Sequence, residues 1–431
     1  MAINDKLGPW RSLSRKLQPR TLIPGLLMFS ALLGGCVGLP RRAAVPIDAT
    51  RSACPSKCSE SRFWPNLDLT QLYRDAAASD ERERETLIVQ GKNPAKLPPA
   101  AFLAISGGGD AGAFGAGILV GWTATGTRPQ FKVVTGVSAG ALIAPFAFLG
   151  DQYDDVLQSV AVSIGPRDVF KIRTLIRAMT SDAFADDAAL ASLIEKYVTK
   201  DILAAVAREY ARGRVLLIGT TDLDAGQPVV WNMGAIASCG DPAALPLFRK
   251  IMLASASIPG VFPPVMLDVT VNGRQYQEMH VDGGVLSQVF LFPPSFLRVV
   301  TNNYSVNARE RSVYAIRNGR IESSWTSVPR RTTFVARRAL SALIDTQGIN
   351  DLYRLEVVSN QEHEGFNVAY VGGEFNYPHN GMFETDYMRH LFEYAYELSK
   401  SGKSWHVMLP GDQPSPVSVE SSALSSPQAM H

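Results

Sequence analysis

The segment from residue 101 to residue 149 constrains the fold more than any other part of the chain. An apolar run, Ala101 to Ser106, leads into three glycines, and a second run, Phe131 to Thr135, leads into Gly136-Val137-Ser138-Ala139-Gly140. Apolar runs of this length predict buried parallel strands. Because a helical pattern follows each glycine turn, the segment predicts an α/β fold whose loops gather at one edge of a mostly parallel sheet.

The turn at Ser138 has the form of a nucleophile elbow. In such a turn a serine is held in a strained backbone conformation, and flanking glycines remove the Cβ atoms that would collide with neighbouring elements. The free N–H groups and the positive dipole end of the following helix favour negative charge near the serine. Ser138 is therefore the candidate nucleophile, although an ordinary strand-to-helix turn has the same pattern.

The glycine loop offers donors for an oxyanion. Gly107, Gly108 and Gly109 follow a predicted strand and precede a helix, so their N–H groups can form an anion-binding nest. Gly107, Gly109 and Gly112 also satisfy G-x-G-x-x-G, which is typical of dinucleotide sites. Such a site needs an acidic residue about 20 positions further on. The chain has no Asp or Glu between Ala111 and Gly150, which argues against a nucleotide.

A base for the serine proton is harder to find. The six histidines, none in a loop typical of a triad, are His280, His363, His379, His390, His406 and His431. His379 and His280 stay open as alternatives. Asp282 is the better candidate, because it ends a predicted strand and is followed by Gly283-Gly284, although it could also simply cap that turn.

The N-terminus has the pattern of an export signal. Residues 1–35 combine a basic start with a short apolar run, Leu22 to Leu33. Leu33-Gly34-Gly35-Cys36 resembles the lipobox of bacterial lipoproteins, in which the cysteine is lipidated. This resemblance implies a cell-envelope lipoprotein anchored through Cys36, and Val37 after the cysteine resembles the pattern sent to the outer membrane of Gram-negative bacteria.

The remaining regions divide around one large domain. We expect a lipid-anchored tether and N-terminal extension at 36–99, a folded domain at 100–410 and a disordered Ser/Pro-rich tail at 411–431. Cys54 and Cys58 are a plausible local disulfide in an exported protein. Residues 1–35 contribute +4 to a formal net charge of +2, so the remainder carries −2 and has no general electrostatic attraction for nucleic acid.

Four motifs together resemble those of the patatin-like phospholipases. They occur in the family's order, and they are Gly107-Gly108-Gly109-Asp110-Ala111-Gly112, Gly136-Val137-Ser138-Ala139-Gly140, Ala254-Ser255-Ala256-Ser257-Ile258-Pro259-Gly260-Val261-Phe262-Pro263-Pro264 and Asp282-Gly283-Gly284. The resemblance implies a three-layer α/β/α sandwich with a mostly parallel central sheet. It also implies a Ser-Asp dyad of Ser138 and Asp282, with an oxyanion hole at Gly107 to Gly109. Many members carry Arg or Lys before the last glycine of the loop, whereas Asp110-Ala111 stand there in this chain.

The sequence thus predicts a serine acyl hydrolase that cleaves fatty-acyl esters of membrane lipids and needs no cofactor or metal. Its expected partners are membrane phospholipid or another lipid acyl ester, and neither nucleic acid nor nucleotide. Two alternatives remain, a catalytically silent lipid-binding envelope lipoprotein and a carboxylesterase or thioesterase with a histidine-containing triad. A carboxylate in water is a weak base for an alcohol. We expect burial to raise the pKa of Asp282 and so make it a stronger base.

Overall fold

The structure is a computed structural model. It describes residues 39–55, 58, 61–172, 182–183, 185–291, 309–322, 325–362 and 364–410. The predicted leader, Cys36, His363, His431 and the predicted tail lie outside the described residues.

A nine-stranded sheet forms the centre of the fold. Its order is β1-β7-β6-β3-β2-β10-β11, and β9 pairs with both β6 and β8. The strands are β1 (Arg62–Phe63), β2 (Ala100–Ile105), β3 (Phe131–Gly136), β6 (Val215–Asp222), β7 (Gln227–Asn232), β8 (Val265–Val271), β9 (Arg274–Asp282), β10 (Arg311–Arg317) and β11 (Gly365–Tyr370). Two short strands, β4 (Lys171–Ile172) and β5 (Ala185–Asp186), pair separately. The five strands β6, β3, β2, β10 and β11 are parallel neighbours.

Helices connect these strands. They are α1 (Thr70–Val89), α2 (Gly112–Ala124), α3 (Ala139–Leu149), α4 (Asp154–Ser163), α5 (Pro166–Val169), α6 (Ala188–Tyr197), α7 (Lys200–Ala211), α8 (Met233–Ser238), α9 (Ala244–Ser255), α10 (Thr332–Gln361) and α11 (Thr385–Lys400). Short 3-10 turns lie at Ile47–Ser52, Gly109–Ala111, Asp151–Tyr153 and Gly283–Val285. Within the described ranges, no helix is both long and apolar enough to cross a membrane.

The sheet buries both of its faces. Alternate residues of a strand point to opposite faces, so Leu103 and Ile105 of β2 join one hydrophobic core while Phe102 and Ala104 join another. The larger core packs against α2, α3, α4, α9 and α11, and the smaller against α1 and the C-terminal half of α10. The predicted three-layer α/β/α arrangement with a mostly parallel sheet is therefore confirmed.

The N-terminal extension is docked on the domain. β1 adds an antiparallel edge strand beside β7, and Arg62, which is 6% exposed, forms a two-pronged ion pair with Glu278 at 2.6 and 3.0 Å. Arg41 binds Asp224 in the same way nearer the N-terminus. Of the tether and N-terminal extension predicted at 36–99, the extension is present, but its described part does not form a tether, because buried ionic and apolar contacts hold it in place.

The predicted pairing of Cys54 with Cys58 is also wrong. Cys58 forms its disulfide with Cys239, at a sequence separation of 181 residues. The backbone of Cys54 instead pairs with Thr270 of β8. Cys54 and Cys58 are close in sequence, but the extension runs along the domain and brings Cys58 next to Cys239.

Arg62→Ala should destabilise the folded protein strongly. It would leave the buried Glu278 carboxylate without its positive partner, and breaking one side of a buried ion pair costs about 3–5 kcal/mol. The free energy of unfolding, measured by urea titration, tests this. The matched control is Arg42→Ala, because Arg42 and Asp268 form an exposed pair for which we expect a loss of about 0–1 kcal/mol. Equal losses in the two variants would contradict the assignment.

Candidate active site

Ser138 occupies the strained backbone conformation that the sequence predicts. Its φ is 55° and its ψ is −122°, a left-handed conformation that costs free energy in a residue with a side chain. The neighbouring glycines are required by contact distances. A Cβ atom on Gly136 would lie 2.4 Å from the Gly140 carbonyl oxygen, and one on Gly140 would lie 2.2 Å from the Ile105 carbonyl oxygen. The elbow therefore closes only with glycine at both positions.

Ser255 holds the elbow from the side of α9. The Ser138 backbone N–H donates to the Ser255 hydroxyl at 3.0 Å, and that hydroxyl donates to the Gly219 carbonyl at 2.6 Å. The chain of bonds ties the turn after β3 to the neighbouring strand β6. Sequence reasoning noted the Ala254-Ser255-Ala256-Ser257 segment without assigning a role to its serines.

Asp282 lies at the end of β9, within hydrogen-bonding reach of the Ser138 hydroxyl. Its backbone N–H donates to the Ser257 carbonyl at 2.9 Å, and its carboxylate accepts the Gly284 N–H at 2.7 Å. Both the serine and the aspartate are 4% exposed. The structure thus brings together the two residues that the sequence singled out, although 144 positions separate them in the chain.

Burial sets the protonation of Asp282. Loss of solvation raises the pKa of its carboxyl from 3.8 to about 7, while the hydrogen bonds from Ser138 and from the Gly284 N–H oppose the rise. A carboxyl with this pKa is a far stronger base than one in water and is still largely ionised slightly above neutral pH. The expected direction of the pKa change is therefore confirmed.

The glycine loop stands beside Ser138, but its three N–H groups are not equivalent. The Gly107 N–H donates to the Gln288 carbonyl at 3.2 Å, so it is occupied in this conformation. Among the described residues, none accepts a hydrogen bond from the Gly108 or Gly109 N–H. Gly108 has a φ of 156° and packs so closely on Asn318 that a Cβ would lie 2.2 Å from its carbonyl oxygen. The predicted set of donors therefore narrows to Gly108 and Gly109.

Asn318 braces this loop from the end of β10. Its backbone N–H donates to the Ser106 hydroxyl and its side-chain amide donates to the Ser106 carbonyl, both at 2.8 Å. Its amide oxygen accepts the Gly115 N–H at 2.9 Å, so one side chain joins both ends of the loop. Asn318 was missed in the sequence, because it lies 212 positions from Ser106 and belongs to no motif.

Gln288 connects the glycine loop to the turn after Asp282. Its side-chain amide donates to the Gly284 carbonyl at 3.2 Å, while its backbone carbonyl accepts from Gly107. The Gln288 N–H in turn donates to the Asp351 carboxylate on α10 at 2.8 Å. Buried contacts therefore fix the distance between the candidate base and the candidate oxyanion donors.

An apolar cavity of about 90 Å³ opens beside Ser138. Small and aliphatic side chains from α2, α3, α4 and α6 form most of its wall. Among the residues that line it are Gly109, Ala116, Ala139, Leu142, Ile143, Phe146, Leu157, Ile164, Leu193, Phe262, Phe383 and Met388. The cavity suits a hydrocarbon chain whose reacting end lies at the serine.

Asp110 ties the glycine loop to Phe383, at one wall of this cavity. The Asp110 carboxylate accepts the Phe383 N–H at 2.8 Å and binds the His379 ring nitrogen Nε2 at 2.8 Å. Phe383 has a φ of 59°, an unusual conformation for a bulky residue, and its ring meets that of Phe170 edge-on. Asp110 thus fixes one wall of the cavity.

The described histidines serve elsewhere. His379 binds Asp110, His390 binds the Asp386 carbonyl, and the His406 backbone pairs with Val368. His280 lies on β9 two residues before Asp282, but its ring contacts Thr220 and Glu278. None of these four has a hydrogen bond to Ser138 or Asp282, so the described residues do not form a histidine-containing triad.

A buried polar cluster lies next to the site along β9. Potential ligand atoms of Asp222, Glu278 and His280 lie within 4.8 Å of one another. Burial raises the pKa of Glu278, but Arg62 and His280 outweigh it and bring the pKa to about 2. Arg62 already binds both Glu278 oxygens, and two backbone N–H groups bind Asp222. The polar groups of this cluster therefore have hydrogen-bonding partners without a metal ion.

The raised pKa of Asp282 predicts that the stability of the folded protein depends on pH. The folded protein holds the Asp282 proton more tightly than the unfolded chain, so the contribution of this group is full below about pH 4 and is lost as the pH rises to about 7. Asp282→Asn removes the titrating group, so the variant does not lose this stability as the pH rises. At pH 8 the variant should be more stable than the wild type, by at most about 4 kcal/mol at roughly 1.4 kcal/mol per pKa unit.

Urea unfolding between about pH 4 and pH 9 measures the difference, which should vanish towards the acid end. Asp268→Asn, which changes an exposed carboxylate, is the control. A pH-dependent gain of equal size in that control would contradict the attribution to burial.

The motifs of the candidate site lie within a match to a known protein family. Residues 103–293 match the model of the patatin-like phospholipase family, and they include the glycine loop, the elbow and Asp282-Gly283-Gly284. A search of curated protein sequences finds no match.

Two solved structures are distantly similar to the chain. VipD from Legionella pneumophila is 12% identical over 73% of this chain and 68% of that one, with a TM-score of 0.30. The type III effector protein ExoU is 13% identical over 72% of this chain and 55% of that one, with a TM-score of 0.24. Of these comparisons, the family match at residues 103–293 is the specific one, and it covers less than half of the 431 residues.

Proposed function

We propose that this protein is a serine acyl hydrolase that cleaves fatty-acyl esters of membrane lipids, in the manner of a phospholipase A or lysophospholipase. The observation that carries the proposal is the position of the buried Asp282 carboxyl, within hydrogen-bonding reach of the strained Ser138 hydroxyl. The apolar cavity beside the serine supports an acyl chain as the part of the substrate that is bound. The family match supports a lipid ester as the substrate class.

In the first half of the reaction, the Ser138 oxygen attacks the ester carbonyl carbon and its proton passes to Asp282. The carbonyl oxygen becomes an oxyanion, which the Gly108 and Gly109 N–H groups stabilise. One such donor is typically worth about 3 kcal/mol in the transition state. The tetrahedral intermediate then collapses, the ester bond breaks, and the alcohol leaves with the proton from Asp282. An acyl group remains on Ser138.

In the second half, Asp282 is again a carboxylate and takes a proton from water as the water attacks the acyl carbon. Collapse of the second intermediate returns the proton to Ser138 and releases a fatty acid. A base with a pKa near 7 is suited to both steps, because it accepts a proton readily and still gives it up.

The glycine loop has no basic residue for a headgroup. A basic residue before its last glycine would attract a phosphate group, but Ala111 stands there, and the neighbouring Asp110 carboxylate holds His379 and Phe383. We therefore infer that the acyl chain, held in the cavity, contributes more to substrate binding at this loop than a headgroup does.

The proposed cellular location depends on the leader. If Cys36 is lipidated as the lipobox pattern predicts, the enzyme is a cell-envelope lipoprotein that is held at its substrate. This part stays a prediction from the sequence, with outer-membrane sorting in a Gram-negative bacterium as its most specific form.

Ser138→Ala and Asp282→Asn should each reduce fatty-acid release from phospholipids and lysophospholipids at least 100-fold, since each removes a group that the reaction requires. Fatty-acid release from defined lipids, with unfolding curves to show that the variants fold, measures the effect. Ser192→Ala and Asp268→Asn are matched controls on exposed positions and should keep full activity.

Labelling with a fluorophosphonate probe separates the proposal from its alternatives. The probe should label wild-type protein and fail with Ser138→Ala. Absence of labelling in the wild type would favour a silent lipid-binding protein. Loss of activity in His379→Gln or His280→Gln with an unchanged fold would favour a histidine-containing triad.

Phe383→Ala should shift the acyl-chain preference towards longer chains. Removing the ring opens the wall of the cavity, and each additional buried methylene is worth about 0.8 kcal/mol, or roughly a fourfold gain. The ratio of kcat/KM for p-nitrophenyl octanoate to that for p-nitrophenyl butyrate measures the shift. Phe290→Ala is the control, because its ring lines a separate cavity on the other side of the sheet. Equal shifts in both variants would contradict the role of Phe383.

A further inference from the structure

The N-terminal half of α10 exposes an apolar face. Two ridges of side chains at i, i+4 and i+8 lie next to each other, Val335-Ala339-Leu343 and Ala336-Leu340-Ile344. Leu343 is 68% exposed and Val335 52% exposed, and Trp325, just before the helix, is 90% exposed. The C-terminal half is different, since Leu352 and Leu355 join the hydrophobic core. One helix therefore has a docked half and a projecting half.

The projecting half extends from the edge of the sheet that carries the active site. β10 and β11 are parallel, so α10 returns between them and begins at the end where β10 stops. Arg317, the last residue of β10, binds Asp345 at 3.3 Å, which fixes the point where the helix passes the sheet edge. Residues 332–344 reach about 20 Å beyond it, at 1.5 Å per residue. Ser138 follows β3 at the same edge.

The charge of this segment has one sign. From residue 325 to residue 344 the chain contains four arginines and no acidic residue, and the arginines are Arg330, Arg331, Arg337 and Arg338. Arg338 lies on the side of the helix opposite the two apolar ridges, and Arg337 lies along the outer edge of the second ridge. A helix with an exposed apolar face and a basic polar face is typical of segments that lie in the surface of an anionic membrane.

We propose that residues 325–344 are a docking surface for an anionic lipid bilayer and set the active site against it. The role of this surface in catalysis rests on the proposed lipid hydrolysis, whereas its binding to a membrane is inferred from the exposed side chains of the helix. A bilayer with anionic headgroups offers negative charge to the arginines and an apolar interior to the leucines and Trp325. A second copy of the chain is the poorer partner for this face, because it would bring four arginines against four arginines.

Vesicle binding tests the surface. The full-length Ser138→Ala protein, which leaves the lipid intact, is sedimented with phosphatidylcholine vesicles that contain or lack phosphatidylglycerol. Arg337→Gln with Arg338→Gln should weaken binding to the anionic vesicles about 30-fold, since each basic residue near such a surface contributes about fivefold. Leu340→Asp with Leu343→Asp should abolish the contribution of the helix on both kinds of vesicle.

Matched controls lie elsewhere on the surface. Arg208→Gln with Arg212→Gln changes exposed residues near the end of α7, at the opposite edge of the sheet, and Val357→Asp changes an exposed residue in the docked half of α10. Neither should change vesicle binding. Quenching by brominated lipid gives a local signal, and the part that Trp325→Phe removes should be larger with anionic than with neutral vesicles.

Measurements of ester hydrolysis distinguish the docking surface from the proposed function. In the catalytically intact protein, the arginine and leucine variants should keep wild-type kcat/KM on soluble p-nitrophenyl butyrate and lose activity on vesicles. Absence of turnover on any ester would refute the hydrolase but leave the vesicle measurement valid. Unchanged vesicle binding in both helix variants, or a dimer that the leucine variant dissociates, would overturn the docking surface.

Discussion

The left-handed backbone of Ser138 is the constraint on which the rest of the site depends. A non-glycine residue keeps such a conformation only where its surroundings hold it there. Here the surroundings are specific: Gly136 and Gly140 leave room for the tight turn, and the Ser255 hydroxyl accepts the Ser138 N–H. Because Ser255 is anchored on β6 in turn, the serine is positioned by the sheet and does not depend on a mobile loop.

Three separate connections meet around that serine, and each is fixed by a different residue. Asn318 holds the glycine loop after β2, Gln288 links that loop to the turn after β9, and Asp110 links it to the segment containing Phe383. The carboxyl of Asp282 is enclosed by these connections, which is why burial dominates its pKa. Packing that looks purely structural thus determines the chemistry of the candidate base.

Local patterns in the sequence predicted much of this. The glycine turns at Gly107 and Ser138 predicted both site loops and the parallel strands before them, and Asp282-Gly283-Gly284 marked the carboxylate. What the sequence did not predict was pairing between distant positions. Asn318 with Ser106 and Arg62 with Glu278 join segments more than 200 residues apart, and no spacing or periodicity records such contacts. The strand β8, whose residues alternate between buried and at least partly exposed, was also missed.

The docking of the N-terminal extension has a consequence for the order of folding. β1 pairs with β7, Cys58 bonds to Cys239 and Arg62 binds Glu278, and each of these three partners follows the extension in the chain by more than 160 residues. Contacts of such high sequence separation form late, because long loops must close first. We therefore expect this segment, although it is synthesised early, to be among the last to dock on the domain.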